Sequence, residues 1–226
     1  MQNNLDLNAG HAPDTLAEAG TVVQDTALVS PAALRRRLRA ARGALTAAQR
    51  QHASARIHAH LGQPGPRQWP VLTRQRLAPP QIIAAFWPLP DEPDLRPVLL
   101  QWLDQGLEIA LPEVVRRDAP LQFRRWSPAA PMQADHFGIP VPTGAPCVPD
   151  ALLVPTLGFT PHADRLGYGG GYYDRTLAAL ADSQQPYLAI GVAFACGAVG
   201  LHEHRPAAHD MPLHAIVTEN GWLLPR

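Results

Sequence analysis

Between Arg165 and Asp174 the chain reads Arg-Leu-Gly-Tyr-Gly-Gly-Gly-Tyr-Tyr-Asp, with four glycines in five consecutive positions and opposite charges at its ends. Each glycine costs roughly 0.5–1 kcal/mol of conformational entropy in a helix or strand, so such a run belongs in a loop. The apolar stretch Ala151-Leu-Leu-Val-Pro-Thr-Leu-Gly158 precedes it, and a helical pattern from Tyr172 to Ala181 follows. Strand, glycine loop and helix in that order bring backbone N–H groups and a helix N-terminus together around an anion. Arg165 adds a fork of charged donors, and Asp174, in the first helical turn, can hold a divalent cation beside phosphates. A tight turn with a dipole-complementing aspartate is the competing reading. The spacing is neither that of a P-loop, for want of Gly-Lys-Ser/Thr, nor that of a dinucleotide fingerprint.

The remaining composition narrows the chemistry. All nineteen basic side chains are arginine, which excludes Schiff-base and lysine-nucleophile mechanisms. Formal net charge is zero, against nucleic-acid binding by bulk charge. Cys147 and Cys196 suit neither a disulfide framework nor a zinc cluster, and point to a reducing cytoplasm. No apolar run reaches membrane-span length, and the first residues lack a signal-peptide pattern. The expectation is a cytoplasmic protein, monomer or weak dimer, with small-molecule partners and neither nucleic acid nor membrane among them.

At 226 residues the chain suits one domain with room for a tail. Residues 1–29 read as a poorly ordered tail, and 30–226 as a single α/β domain. Ser30-Pro31 opens a helix in which Leu34, Leu38, Ala41 and Leu45 repeat, while Arg35, Arg36, Arg37, Arg39 and Arg42 read as a mostly solvated face. Thr46 with Gln49 resembles a capping box for a second helix to about Leu61. A proline-rich connection, Gln63–Pro80, follows. Strands are expected at Ile82–Trp87, Leu107–Leu111, Leu121–Trp126, Ala151–Thr156, Tyr187–Ala193 and, last, Ala215–Thr218, with a helix from Leu95 to Gln105. Ser127–Pro149 reads as irregular. This alternation predicts a three-layer α/β/α fold, a Rossmann-like open and mostly parallel sheet, with ligands beyond the strands' carboxyl ends.

Leu153-Val-Pro-Thr-Leu-Gly-Phe159 followed by Arg165–Arg175 resembles the 5-formyltetrahydrofolate cyclo-ligase family, also called 5,10-methenyltetrahydrofolate synthetase. Support extends through Phe86–Glu92, Leu107–Pro112, Gly138–Pro142, His209-Asp210 and Ile216–Glu219, about residues 31–220. The resemblance implies ring closure of 5-formyltetrahydrofolate to 5,10-methenyltetrahydrofolate, with ATP as co-substrate, Mg2+ as cofactor and phosphorylation of the formyl oxygen. By position, Arg35 and Arg165, Leu166, Gly167, Tyr168, Gly169, Gly170, Gly171, Tyr172 and Tyr173 would bind ATP. Trp87, Glu92 and Tyr168–Tyr172 would meet the folate, Asp174 and Asp210 the metal, and Arg165 and Tyr172 would be catalytic. The chain departs from the family at Pro31, where a lysine is common, so one phosphate contact is missing or is supplied by Arg36 or Arg37. It also has Gly197 for a common glutamine, a longer Leu201–Ala208, and His214 where many members have aspartate. A diverged substrate, a non-catalytic nucleotide- or folate-binding protein, and a metal-dependent hydrolase using His202, His204 and His209 are the alternatives.

Overall fold

The computed structural model describes residues 29–225. The expected tail, except for Val29, lies outside the described residues. Ser30 caps α1 (Pro31–Gly43) through a hydrogen bond from Ala33 N–H, and Pro31 loses nothing there because first-turn amides lack intrahelical acceptors. The Thr46–Gln49 capping box opens α2 (Ala47–Gly62). The proline-rich connection is not an extended linker: it holds a 3₁₀ turn at Pro66–Gln68 and α3 (Pro70–Gln75), both starting on proline. There follow β1 (Ile82–Ala84), α4 (Arg96–Asp104), β2 (Glu108–Glu113) and β3 (Gln122–Trp126).

The stretch read as irregular instead contains a hairpin, β4 (Met132–Ala134) with β5 (Pro140–Pro142), and a short strand β6 (Pro146–Cys147). The second half runs β7 (Ala151–Pro155), a small hairpin β8 (Gly158–Phe159) with β9 (Arg165–Leu166), α5 (Tyr172–Asp182) and β10 (Leu188–Val192). It ends with β11 (Ala215–Thr218) and β12 (Gly221–Leu223), so Ala215–Thr218 is not the last strand.

Eight strands form one sheet in the order β12-β11-β10-β7-β1-β2-β3-β6. From β11 through β2 neighbours are parallel, while β12, β3 and β6 run antiparallel at the rims. Alternate residues of each strand serve opposite faces. Ile83, Ile109, Leu153 and Ile190 pack under α2, α3 and α4, whereas Ala84, Leu152, Val154 and Ala189 pack under α5. The α/β/α layering expected from the alternation of strands and helices is present. Helix α1 stands apart and packs Leu34 and Leu38 against Leu157, Leu166 and Val199, next to the β8–β9 hairpin. Because β1→β2 proceeds in one direction and β7→β10→β11 in the other, the order reverses between β1 and β7. A ligand crevice forms at such a reversal.

His214 has a structural task. Its Nδ1 accepts the Ala189 N–H at 3.0 Å, and its ring meets Tyr187 edge-on at 5.5 Å. Burial holds its pKa below the ordinary imidazole value of 6.5. A depressed pKa means that this stabilisation is complete above pH 6.5 and is lost as pH falls below it. His214→Gln, which keeps an acceptor without a titrating ring, should therefore flatten the loss of stability on acidification. Urea unfolding between about pH 7.5 and pH 5 measures this, and parallel curves for both proteins would refute it.

Candidate active site

A cavity of about 560 Å³ opens at that reversal. Phe86 and Trp87 after β1, Pro112 and Val114 at the end of β2, and Pro155 closing β7 supply its floor. The glycine loop and the start of α5 form one wall; Pro31 and Arg35 of α1 and the segment from His204 to Asp210 form another. In the loop, Gly169 (φ +100°) and Gly171 (φ +65°) occupy backbone conformations that other residues resist. Gly171 is also the N-cap of α5 and offers no side-chain acceptor, so the first amides of that helix are left for an anion. The loop's carbonyls are held by arginine instead. Arg35 Nε donates to Gly167 at 2.9 Å, Arg39 Nη2 to Tyr168 at 3.4 Å and Arg175 Nη2 to Gly170 at 2.6 Å.

Arg165 and Asp174 form a close pair. Arg165 Nη2 lies 2.8 Å from both carboxylate oxygens, with the side chains 6% and 14% exposed. Arg165 Nε is buried and, among the described residues, has no partner. Met211 N–H reaches Asp174 Oδ1 at 3.4 Å, which brings the neighbouring Asp210 to the same cavity. Asp210 Oδ2 accepts the Ala207 N–H at 2.7 Å. Asp174 and Asp210 line the same cavity as the glycine loop and could hold Mg2+, which takes one or two carboxylates and completes its shell with phosphate oxygens and water. Among the described residues no three His, Cys, Asp or Glu side chains gather into a metal site. The His202–His204–His209 cluster required by the hydrolase alternative is therefore not formed: His204 is buried, while His202 and His209 are exposed.

A second network ties the loop to the other end of the cavity. Arg42 Nη1 donates to the Tyr168 hydroxyl, which donates to Glu92 Oε1. Glu92 Oε2 accepts the Leu89 N–H at 3.0 Å, and Arg42 holds Asp91 through Nε at 3.0 Å and Nη2 at 2.8 Å. Burial pushes the Glu92 carboxyl above its ordinary value; burial and the facing Glu92 push the Tyr168 phenol up as well. Tyr168 thus stays a protonated donor at neutral pH. Glu92 lines the cavity as expected, yet both its oxygens are already engaged, one by Tyr168 and one by Leu89. Arg42, read as part of a solvated face, is 6% exposed and central to this network.

The other expected residues fall on the cavity too. Trp87 lies edge-on to Trp126 at 6.2 Å with Arg96 over its ring. Tyr172 sits between Phe137, 5.9 Å away edge-on, and the Arg175 guanidinium, 5.1 Å away. Burial pushes the Tyr173 phenol up, and Arg165 stacks over that ring. Phe137, at the tip of the β4–β5 hairpin, was missed in the sequence; Asp135, which accepts the N–H groups of Phe137 and Ile139, was the available turn signal. Pro31 lines the cavity, but the expected substitutes for a lysine there do not: Arg36 and Arg37 lie off it, and Arg37 pairs with Glu203 at 2.6 Å.

Fold and cavity together define an open-sheet α/β protein with a glycine loop and a cavity at a topological reversal. Residues 28–219 match the model of the 5-formyltetrahydrofolate cyclo-ligase family, and the chain belongs to that family. Proteins named 5-formyltetrahydrofolate cyclo-ligase from Haemophilus influenzae and Mycolicibacterium smegmatis are similar to it, at 36% identity over 104 residues and 35% over 116. Those alignments cover 43% and 46% of this chain, and the chain spans only 53% and 59% of those relatives' length. The protein of that name from Escherichia coli K12 is 31% identical over 159 residues, 65% of this chain and 84% of the relative. Among solved structures, the 5,10-methenyltetrahydrofolate synthetase of Aquifex aeolicus superposes with a TM-score of 0.68 at 27% identity, covering 88% of this chain and 94% of that one. The Mycoplasma pneumoniae synthetase, 20% identical with a TM-score of 0.64 over 84% of this chain and 99% of its own, shares the fold.

Proposed function

We propose that the chain catalyses the ATP- and Mg2+-dependent cyclisation of 5-formyltetrahydrofolate to 5,10-methenyltetrahydrofolate, giving ADP and phosphate. The observation that carries this reading is the glycine loop with its Arg165–Asp174 pair, set in a cavity that Phe86, Trp87 and Val114 also line. An N-formyl oxygen is a poor leaving group. Transfer of the γ-phosphoryl group forms a phosphorus–oxygen bond to that oxygen and breaks the one to ADP; the folate N10 then attacks the formyl carbon, and phosphate leaves with the oxygen. Such a reaction needs positioning and charge neutralisation rather than a protein nucleophile.

The loop amides and the α5 N-terminus would hold the terminal phosphates, with Arg165 turning from Asp174 to a phosphate oxygen. Tyr172, fixed between Phe137 and Arg175, would wall the meeting point of the formyl group and the nucleotide. Trp87 offers the pterin an apolar face. Asp174 and Asp210 would hold Mg2+, which neutralises charge building on the phosphates. The same reading makes residues 30–226 one domain, working in the cytoplasm as a monomer or weak dimer. Incubation with 5-formyltetrahydrofolate, ATP and Mg2+, followed by the ultraviolet band of the methenyl product, tests the proposal. Product without ATP would overturn the mechanism; nucleotide binding without product would establish a binding protein instead.

A further inference from the structure

The segment from Glu203 to Met211 is pinned at both ends beside the glycine loop. Glu203 pairs with Arg37 of α1 at 2.6 Å and accepts the Gly200 N–H at 2.9 Å. At the other end Met211 N–H reaches Asp174 at 3.4 Å. Between them His204, Arg205, Ala207, His209 and Asp210 line the cavity. Arg35, Arg165 and Arg205 all line this cavity. Arg35 gives its Nε to the Gly167 carbonyl and Arg165 its Nη2 to Asp174. Arg205 is exposed and, among the described residues, has neither a hydrogen-bond nor an ion-pair partner. His204 beside it is 6% exposed, also lines the cavity, and keeps its Nε2 buried without a partner.

A buried ring nitrogen with nothing to bond, next to an uncommitted guanidinium, is a donor pair prepared for anionic oxygen. The geometry points to His204 and Arg205 as a second anion contact, for the terminal phosphates of the nucleotide beside the glycine loop. This rests on the cyclo-ligase reading and deepens it. It also places a positive charge in the cavity wall that Pro31 shares, where Arg36 and Arg37 supply none. Phosphate oxygens and the carboxylates of a folate glutamate tail share this chemistry. The segment's anchors, Glu203 on Arg37 of α1 and Met211 on Asp174, assign the pair to phosphate.

Calorimetric titration of Arg205→Gln and His204→Phe with ATP, tripolyphosphate and AMP tests the assignment, with thermal melting as the control for folding. Arg205 is exposed, so its replacement leaves the core intact, and His204→Phe fills the same space without the nitrogen. Arg205→Gln should weaken ATP and tripolyphosphate about ten- to a hundredfold, and Arg205→Lys should restore part of the loss. AMP should change by no more than about twofold. Unaltered ATP affinity in both variants, or an equal loss for AMP, would overturn the inference. So would a loss confined to triglutamyl over monoglutamyl 5-formyltetrahydrofolate, which would make the pair a tail contact. Failure of the unsubstituted protein to bind either ATP or tripolyphosphate would instead overturn the cyclo-ligase reading itself.

Discussion

Replacing Asp174 with asparagine should cut turnover by about a hundredfold or more while the protein still folds. The carboxylate receives both contacts of Arg165 Nη2 at 2.8 Å and a weaker one from Met211 N–H. Asparagine keeps the shape and one acceptor oxygen but turns an amide NH₂ toward a guanidinium. It also removes the negative charge that a cation beside the phosphates requires. Breaking a buried ion pair costs about 3–5 kcal/mol, an upper bound here because the aspartate keeps some contact with water. The melting temperature should therefore fall as well. Single-turnover measurements at saturating ATP separate chemistry from affinity, and circular dichroism verifies the fold. An accompanying rise in the Mg2+ concentration needed for half-maximal rate would support the metal role; unchanged turnover would refute it.

Gly170→Val should weaken ATP binding by about tenfold or more and cost about 1–3 kcal/mol of stability. A Cβ at this position would come within 2.9 and 3.0 Å of the Tyr172 ring. That ring cannot swing away freely, since Phe137 lies edge-on to it and Arg175 covers its face. The added side chain must therefore displace Tyr172 or fill the cradle. Gly170 is the informative choice because Gly169 and Gly171 have positive φ, where any substitution adds backbone strain to the steric effect. Gly170→Ala should give a smaller loss in the same direction. An ATP affinity within about twofold of the parent for the valine variant would count against the loop as the phosphate site.

Much of this architecture was legible because it rests on local rules. Ser30-Pro31 and Thr46–Gln49 announce helix starts through hydrogen bonds to residues only three positions away, and the parallel strands are short apolar runs. The misreadings share a physical origin. Pro66 and Pro70 lie in a proline-rich stretch that looks like a linker, yet proline suits a first helical turn and each opens a short helical element. Phe86 and Trp87 were assigned to β1, but only Ala85 continues its hydrogen bonding, to Ala110, before the chain turns to line the cavity. β12 has three residues and depends on pairing with β11. In the site, the glycine loop and Asp174 could be read from neighbours in sequence. Arg42 could not, since its partner Tyr168 lies 126 residues away and its helical surroundings resemble a wet arginine stripe. Glu92 sits in Pro90-Asp-Glu-Pro93, which has the look of an exposed turn, because burial by distant segments leaves no local trace.

The rims of the sheet bear on how the chain behaves before it is fully folded. A parallel sheet assembled from distant segments closes slowly and exposes unpaired edges meanwhile. Here the outermost strands are the antiparallel β12 and β6, of three and two residues, and β6 begins with Pro146, which has no N–H to offer. An edge so brief and interrupted makes a poor template for a neighbouring chain. The apolar parallel strands that could seed fibrous association are kept inside, so the sheet ends where it should rather than growing from one molecule into the next.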